Sequence, residues 1–188
     1  MEKDKVYLRK KYLLIRKKKY FKIGNVNFNL IFRLIIKNFN NKKIIIGGYY
    51  PSFYEVDTLS FFKKASEKKF KIALPLVKSA TAMRFKSWNY KEPLNVSKFG
   101  TLEPSQNNKE VTPDLIMVPL VTYDNKLNRI GYGKGYYDRS LKKIKKINKK
   151  VISLGIAYSF QEYKKIPINK YDFKLDYIFT EQGIISSN

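Results

Sequence analysis

Three glycines, Gly131, Gly133 and Gly135, fall within five positions in a chain that has only nine. They lie between an apolar run, Asp114 to Val121 (DLIMVPLV), and a stretch from Tyr136 to about Ile147 with helical periodicity. Strand, glycine-rich loop and helix in that order form the basic connection of an α/β sheet, and this restricts the chain more than any bulk property does. Glycine tolerates positive φ and close approach, so successive backbone N–H groups can converge at a helix N-terminus, the geometry that holds phosphate. The spacing matches neither common phosphate fingerprint. A dinucleotide loop requires glycine where Tyr136 stands, and a P-loop requires Ser or Thr after Gly-Lys, where this chain has Gly135. A tight strand-to-helix turn would explain the glycines alone. Asp124, Arg129, Lys134 and Asp138 within fifteen residues, after a strand end, favour a phosphate site.

The remaining segments supply a sheet around that connection. Lys43 to Tyr50 (KIIIGGYY) is a β-branched run stopped by two glycines and Pro51. Asp57 to Lys69 reads as a helix capped by Asp57 or Thr58, with Leu59, Phe61, Phe62 and Ala65 inward, and Phe70 to Val77 as the next strand. This β-α-β order predicts a parallel pair. Met83 to Trp88, Val151 to Ala157 and Tyr177 to Thr180 are further strands, and Pro119 marks a strand end or irregularity. Lys3 to Phe21 predicts a basic helix with a narrow apolar face drawn from Val6, Tyr7, Tyr12, Leu13, Leu14 and Ile15, its lysines solvated. A more buried helix follows Gly24, with Val26, Phe28, Leu30, Ile31, Leu34, Ile35 and Phe39 near helical spacing. Between Asn89 and Pro113, Pro93, Pro104 and Pro113 prevent long regular elements, and this segment is read as a surface excursion, a candidate lid. The expected architecture is a three-layer α/β/α fold with a mostly parallel central sheet, one domain over residues 1–188.

Composition narrows the chemistry. With no cysteine and no histidine, the chain lacks disulfides, thiolate catalysis, the Ser-His pair and imidazole ligands. Carboxylates, lysines, arginines and tyrosines remain, a set suited to hard cations and to charge on phosphoryl oxygens. The formal charge of +24 attracts polyanions and raises the alternative of a nucleic-acid-binding protein, using Lys10, Lys11, Lys17 to Lys19 and the 142–150 tail. No recognition module accompanies those lysines, and the joint excess of Lys, Asn and Ile is what AT-rich codons produce. No run is long enough to span a membrane, and no signal peptide is legible, so a soluble, cytoplasmic protein is expected. A monomer is favoured.

The stretch VPLVTYDNKLNRIGYGKGYYDR combines the apolar strand, the Tyr123-Asp124 pair, Arg129, three alternating glycines and a Tyr-Tyr-Asp ending in one fixed spacing. It resembles the signature segment of 5-formyltetrahydrofolate cyclo-ligases, also called methenyltetrahydrofolate synthetases. Further pieces appear in order: Lys5 and Arg9, EVDT at Glu55 to Thr58, FGTLEP at Phe99 to Pro104, then Gln161, Pro167 and Asp172. The resemblance is strongest from Asp114 to Arg139 and implies ATP- and Mg²⁺-dependent closure of 5-formyltetrahydrofolate to 5,10-methenyltetrahydrofolate. It implies that Lys5, Arg9, Arg129, Gly131, Tyr132, Gly133, Lys134, Gly135, Tyr136 and Tyr137 bind ATP, with Lys134 and Arg129 supplying catalytic charge. Asp138 and Asp172 would hold Mg²⁺, and Tyr50 and Glu55 would contact the folate. A member that binds folate or ATP without turnover is the remaining alternative. Two positions depart from the pattern: Leu127 stands where glycine is usual in the turn, and Tyr171 replaces a common histidine. Trp88 is left open between stacking on a ligand and filling the core.

Overall fold

The computed structural model describes residues 2–187 apart from Asn25, Asn41 and Ala80. The chain opens with α1 (Glu2–Lys19), a short 3-10 turn (Tyr20–Lys22) and α2 (Asn29–Phe39). β1 (Ile45–Gly47), α3 (Leu59–Glu67) and β2 (Lys71–Val77) form the expected β-α-β unit, with Ile46 paired in parallel to Ile72. β3 (Met83–Trp88) returns antiparallel to β2. The excursion then contributes β4 (Asn95–Val96), β5 (Leu102–Glu103) and β6 (Glu110–Val111). β7 (Leu115–Pro119) leads through β8 (Thr122–Tyr123) and β9 (Arg129–Ile130) to α4 (Tyr136–Ile147). β10 (Ile152–Ile156), β11 (Tyr177–Thr180) and β12 (Gly183–Ser186) complete the chain.

Eight strands form one sheet in the order β12-β11-β10-β7-β1-β2-β3-β6. The five from β11 to β2 are parallel, and antiparallel strands close both edges. Alternation along β7 divides the core. Leu115 and Met117 face α2 and α3 together with Phe61, Phe62 and Trp88, whereas Ile116 and Val118 face α4 with Leu141 and Phe85. The expected three layers follow. Trp88 belongs to the first core, its ring edge-on to Phe62 and its indole N–H donating to Glu92 O at 2.9 Å. Pro119, which has no N–H for the ladder, is the last residue of β7. The excursion lies partly within the sheet, because β6 pairs with β3 at its edge.

One expectation is met only in part at α1. Its buried residues are Lys5, Leu8, Tyr12 and Arg16, whereas Val6, Tyr7 and Leu14 are exposed. Positions 5, 8, 12 and 16 follow helical spacing, but half of that stripe is cationic. An apolar count therefore finds only part of the buried face: Tyr12, Leu13 and Ile15 pack inward as expected, and Lys3, Lys10, Lys11 and Lys17 to Lys19 are exposed, but Lys5 is not solvated. The buried ends of this stripe reach groups at the top of the sheet.

That top is where the topology directs attention. From β1 the chain proceeds to β2 on one side, and from the adjacent β7 it proceeds to β10 on the other. Such a switch point leaves a crevice beyond the carboxyl ends of the two strands, where open α/β sheets bind ligands. The segments that follow them are residues 48–58 and 120–135.

Candidate active site

The glycine loop begins from a hairpin, β8 paired with β9. In its turn Asp124 Oδ1 accepts from the N–H groups of Lys126 and Asn128, both at 3.0 Å, and Leu127 adopts φ +67° with its side chain wholly buried. This is the position where the resemblance expects glycine. The left-handed backbone is retained, and the Leu127 side chain packs in the α4-side core. Gly133 and Gly135 also take positive φ, +97° and +65°, and Gly135 is the residue preceding α4. A Cβ on Gly133 would lie 3.2 Å from the Arg9 guanidinium carbon, while Arg9 Nε donates to Gly131 O at 2.8 Å. Gly131 meets nothing within 4 Å of a Cβ and needs no positive φ, so the fold alone makes no demand for glycine there. Lys134 is exposed, and its carbonyl accepts from Arg139 at 2.8 Å.

Below the loop, two carboxylates 34 positions apart come together. Asp138 Oδ1 accepts from Arg129 Nη2 and from Phe173 N–H, both at 3.0 Å, and Arg129 Nη1 donates to Phe173 O at 2.6 Å. Asp172, the neighbour of Phe173, accepts through Oδ2 from Lys5 Nζ at 2.5 Å and from Asn169 N–H at 2.7 Å. Burial lowers the Arg129 pKa from its usual range, and the Asp138 charge opposes that fall. Both carboxylates use one oxygen for these contacts, so their other oxygens suit a hard cation that keeps water and phosphate ligands. Among the described residues no cluster of three or more metal-binding side chains occurs. Tyr171 is exposed, with Lys170 Nζ 5.2 Å from its ring centre.

Glu55 lies across the crevice at the end of a strained turn, in which Phe53 and Tyr54 take φ of +47° and +63°. Tyr50, half-buried, precedes this turn. Glu55 Oε2 accepts from Ser52 N–H at 2.9 Å and Ser52 Oγ at 3.3 Å, and Oε1 accepts from the Tyr132 hydroxyl at 2.7 Å. A residue of the glycine loop thus touches the carboxylate directly. Burial raises the Glu55 pKa, while the donors Tyr132 and Ser52 and the Arg16 charge hold it back. Burial and the Glu55 charge raise the phenols of Tyr132 and Tyr137 well above the ordinary value, so both act as donors. The Tyr137 hydroxyl is buried with no partner among the described residues.

Sequence reasoning missed Arg16, which is 1% exposed. It donates to Leu120 O at 3.1 Å, Phe53 O at 2.8 Å and the Tyr132 hydroxyl at 2.5 Å. One signal was available: Arg16 lies seven positions after Arg9 and eleven after Lys5, on the same helical stripe. Ser52 was also missed, since a serine after proline in a turn has no distinctive pattern.

Comparison with known proteins gives a consistent result. The Haemophilus influenzae 5-formyltetrahydrofolate cyclo-ligase is 38% identical over 87 residues, 44% of this chain and 46% of that protein. The Escherichia coli K12 protein of the same name is 26% identical over 136 residues, 69% of this chain and 74% of its own. The aligned part spans about half the length of several such relatives. In three dimensions the likeness is longer. The Aquifex aeolicus 5,10-methenyltetrahydrofolate synthetase superposes with a TM-score of 0.74 at 28% identity, covering 97% of this chain and 92% of that one. For the Mycoplasma pneumoniae 5,10-methenyltetrahydrofolate synthetase the TM-score is 0.68 at 25% identity, over 95% and 99%. The sequence profile of the 5-formyltetrahydrofolate cyclo-ligase family matches residues 2–181, and the chain belongs to that family.

Proposed function

We propose that the protein is an ATP- and Mg²⁺-dependent enzyme that closes 5-formyltetrahydrofolate to 5,10-methenyltetrahydrofolate, releasing ADP and phosphate. The observation that carries this reading is the meeting of the glycine loop and Glu55 through Tyr132, at the switch point of a sheet shared with the family. In this reading the formyl oxygen attacks the γ-phosphorus and ADP departs. N10 then attacks the activated carbon, the carbon–oxygen bond to phosphate breaks, and N10 loses its proton. No covalent bond to the protein forms, which suits a chain without cysteine or histidine.

The loop backbone and α4's N-terminus bind the triphosphate, with Arg9 and Lys134 adding positive charge. Gly131, whose small size the fold itself does not require, allows phosphate to approach the backbone. Glu55 accepts an N–H of the folate, and Tyr50 borders the same pocket. Asp138 and Asp172 hold Mg²⁺, which when bound offsets charge on the phosphate oxygens. Arg129 and Lys5 keep these carboxylates in place. The buried Tyr137 hydroxyl, unsatisfied among the described residues, donates to a substrate oxygen.

Purified protein mixed with 5-formyltetrahydrofolate, ATP and Mg²⁺ is expected to produce the near-ultraviolet absorbance of the methenyl product, with all three components required. No absorbance change at any protein concentration would remove the catalytic reading.

A further inference from the structure

We propose that Arg16 and Tyr132 are positioning residues that couple the glycine loop to Glu55, so that filling either half of the crevice changes the affinity of the other. This rests on the reading above, with ATP at the loop and folate at Glu55.

α1 fastens the loop at two points. Arg9 holds Gly131 O and covers Gly133, and two helical turns later Arg16 holds the hydroxyl of Tyr132, the residue between those glycines. The same guanidinium also holds Phe53 O, inside the strained turn that directs Glu55. Arg16 is buried and its third acceptor is Leu120 O at the end of β7, so it is anchored to the sheet. Loop, turn and sheet therefore share one cation. Its Nε–H is buried with no partner among the described residues.

The Glu55 carboxylate offers about four acceptor positions, and Tyr132 with the two Ser52 donors takes three. Both Ser52 donors are on Oε2, so the position left open is on Oε1, the oxygen that holds the phenol. A ligand N–H arriving there crowds Tyr132, whose backbone is the loop. Conversely, phosphate drawing the N–H groups of residues 131–135 toward itself moves the residue whose hydroxyl sets the Glu55 rotamer. By linkage the effect on each affinity is the same factor in both directions.

The test compares wild type with Tyr132→Phe, which removes only the hydroxyl. Affinity for 5-formyltetrahydrofolate is measured with and without Mg²⁺ and an ATP analogue whose β–γ bridge is nitrogen. Wild type is expected to change affinity by at least about 5-fold on adding the analogue. In Tyr132→Phe the ratio should approach 1, whatever the change in the affinity for each ligand alone. A variant that keeps the wild-type ratio overturns the proposal, including one that loses both affinities equally, which is the mark of a purely structural tyrosine. A wild type that binds both ligands with no coupling overturns it and leaves the proposed function standing. A wild type that binds neither removes both.

A second measurement needs no variant. In wild type, 5-formyltetrahydrofolate alone should slow hydrogen exchange at residues 131–135 as well as at 52–55. Slowing at 52–55 alone overturns the proposal.

Discussion

Leu127 combines two properties that seldom meet in one residue, a φ of +67° and a side chain with no exposed surface. The left-handed backbone costs roughly 1 kcal/mol for a residue with a Cβ, while burying a leucine contributes more than that. Leu127→Ala should therefore lose about 2–4 kcal/mol in urea unfolding, from the cavity it leaves. Leu127→Gly loses the same contacts but regains the strain, so it should be at least as stable as the alanine variant, the reverse of their order elsewhere. A glycine variant more than about 1 kcal/mol weaker than the alanine one would contradict this account. Glu55 supports a prediction with a different sign. Burial raises its folded pKa above the ordinary 4.5, so its contribution to stability is full below the unfolded pKa and falls as pH rises through the folded one. Glu55→Gln keeps an acceptor for Tyr132 without a charge to desolvate. Urea unfolding should show the variant gaining on wild type as pH rises from below 4.5 toward neutrality, even as folate binding weakens about 10-fold or more. A variant that loses ground over that range would refute the sign.

At the level of elements, α1 departs from the usual relation between hydropathy and burial at particular positions. Leu14 is 54% exposed and Arg16 is 1% exposed. Leu14→Lys should therefore change unfolding free energy by no more than about 0.5 kcal/mol. Arg16→Met keeps the length but leaves Leu120 O, Phe53 O and the Tyr132 hydroxyl without their donor, and should cost about 3 kcal/mol or more. Comparable losses from the two variants would mean that the buried face has been misidentified. The contrast also explains what the sequence could reveal. α2, α3 and α4 were legible because their inward positions are apolar and repeat at helical spacing. The length of α1 was legible too, but its buried face only in part, since a buried arginine and a solvated lysine look alike to a hydropathy count. β8 and β9 have two residues each, too few for any period to register. The glycine loop announced itself because glycine is scarce in this chain. Arg16 carried no comparable mark among so many cations.

Over the whole molecule, the order of strands placed the site before any side chain did. The runs that became β1, β2, β7, β10 and β11 were each readable, but their spatial order was not, because it is set by which crossover buries which face. Knowing that order puts Glu55 and the glycine loop at one crevice, although 77 positions separate Glu55 from Tyr132. The net charge acts at this same scale. With 39 basic and 15 acidic side chains, most cations have no acidic partner available, so repulsion favours the expanded chain. Two ion pairs close to the site, Arg129–Asp138 and Lys5–Asp172, have cations that are 4% and 7% exposed and are poorly screened by salt. The pairs Arg84–Glu110 and Lys145–Asp176 are more open and contribute little. Screening should therefore relieve more repulsion than attraction. Raising sodium chloride from about 20 to about 300 mM shortens the screening length from roughly 20 Å to under 10 Å. It should raise unfolding free energy by on the order of 1 kcal/mol, or about 2–4 °C in Tm. The same salt should weaken the proposed ATP binding, because the field that destabilises the fold would also draw in the anion. Opposite signs for stability and affinity are what long-range repulsion requires; a fold that loses stability as salt rises would place the main electrostatic term in its surface pairs instead.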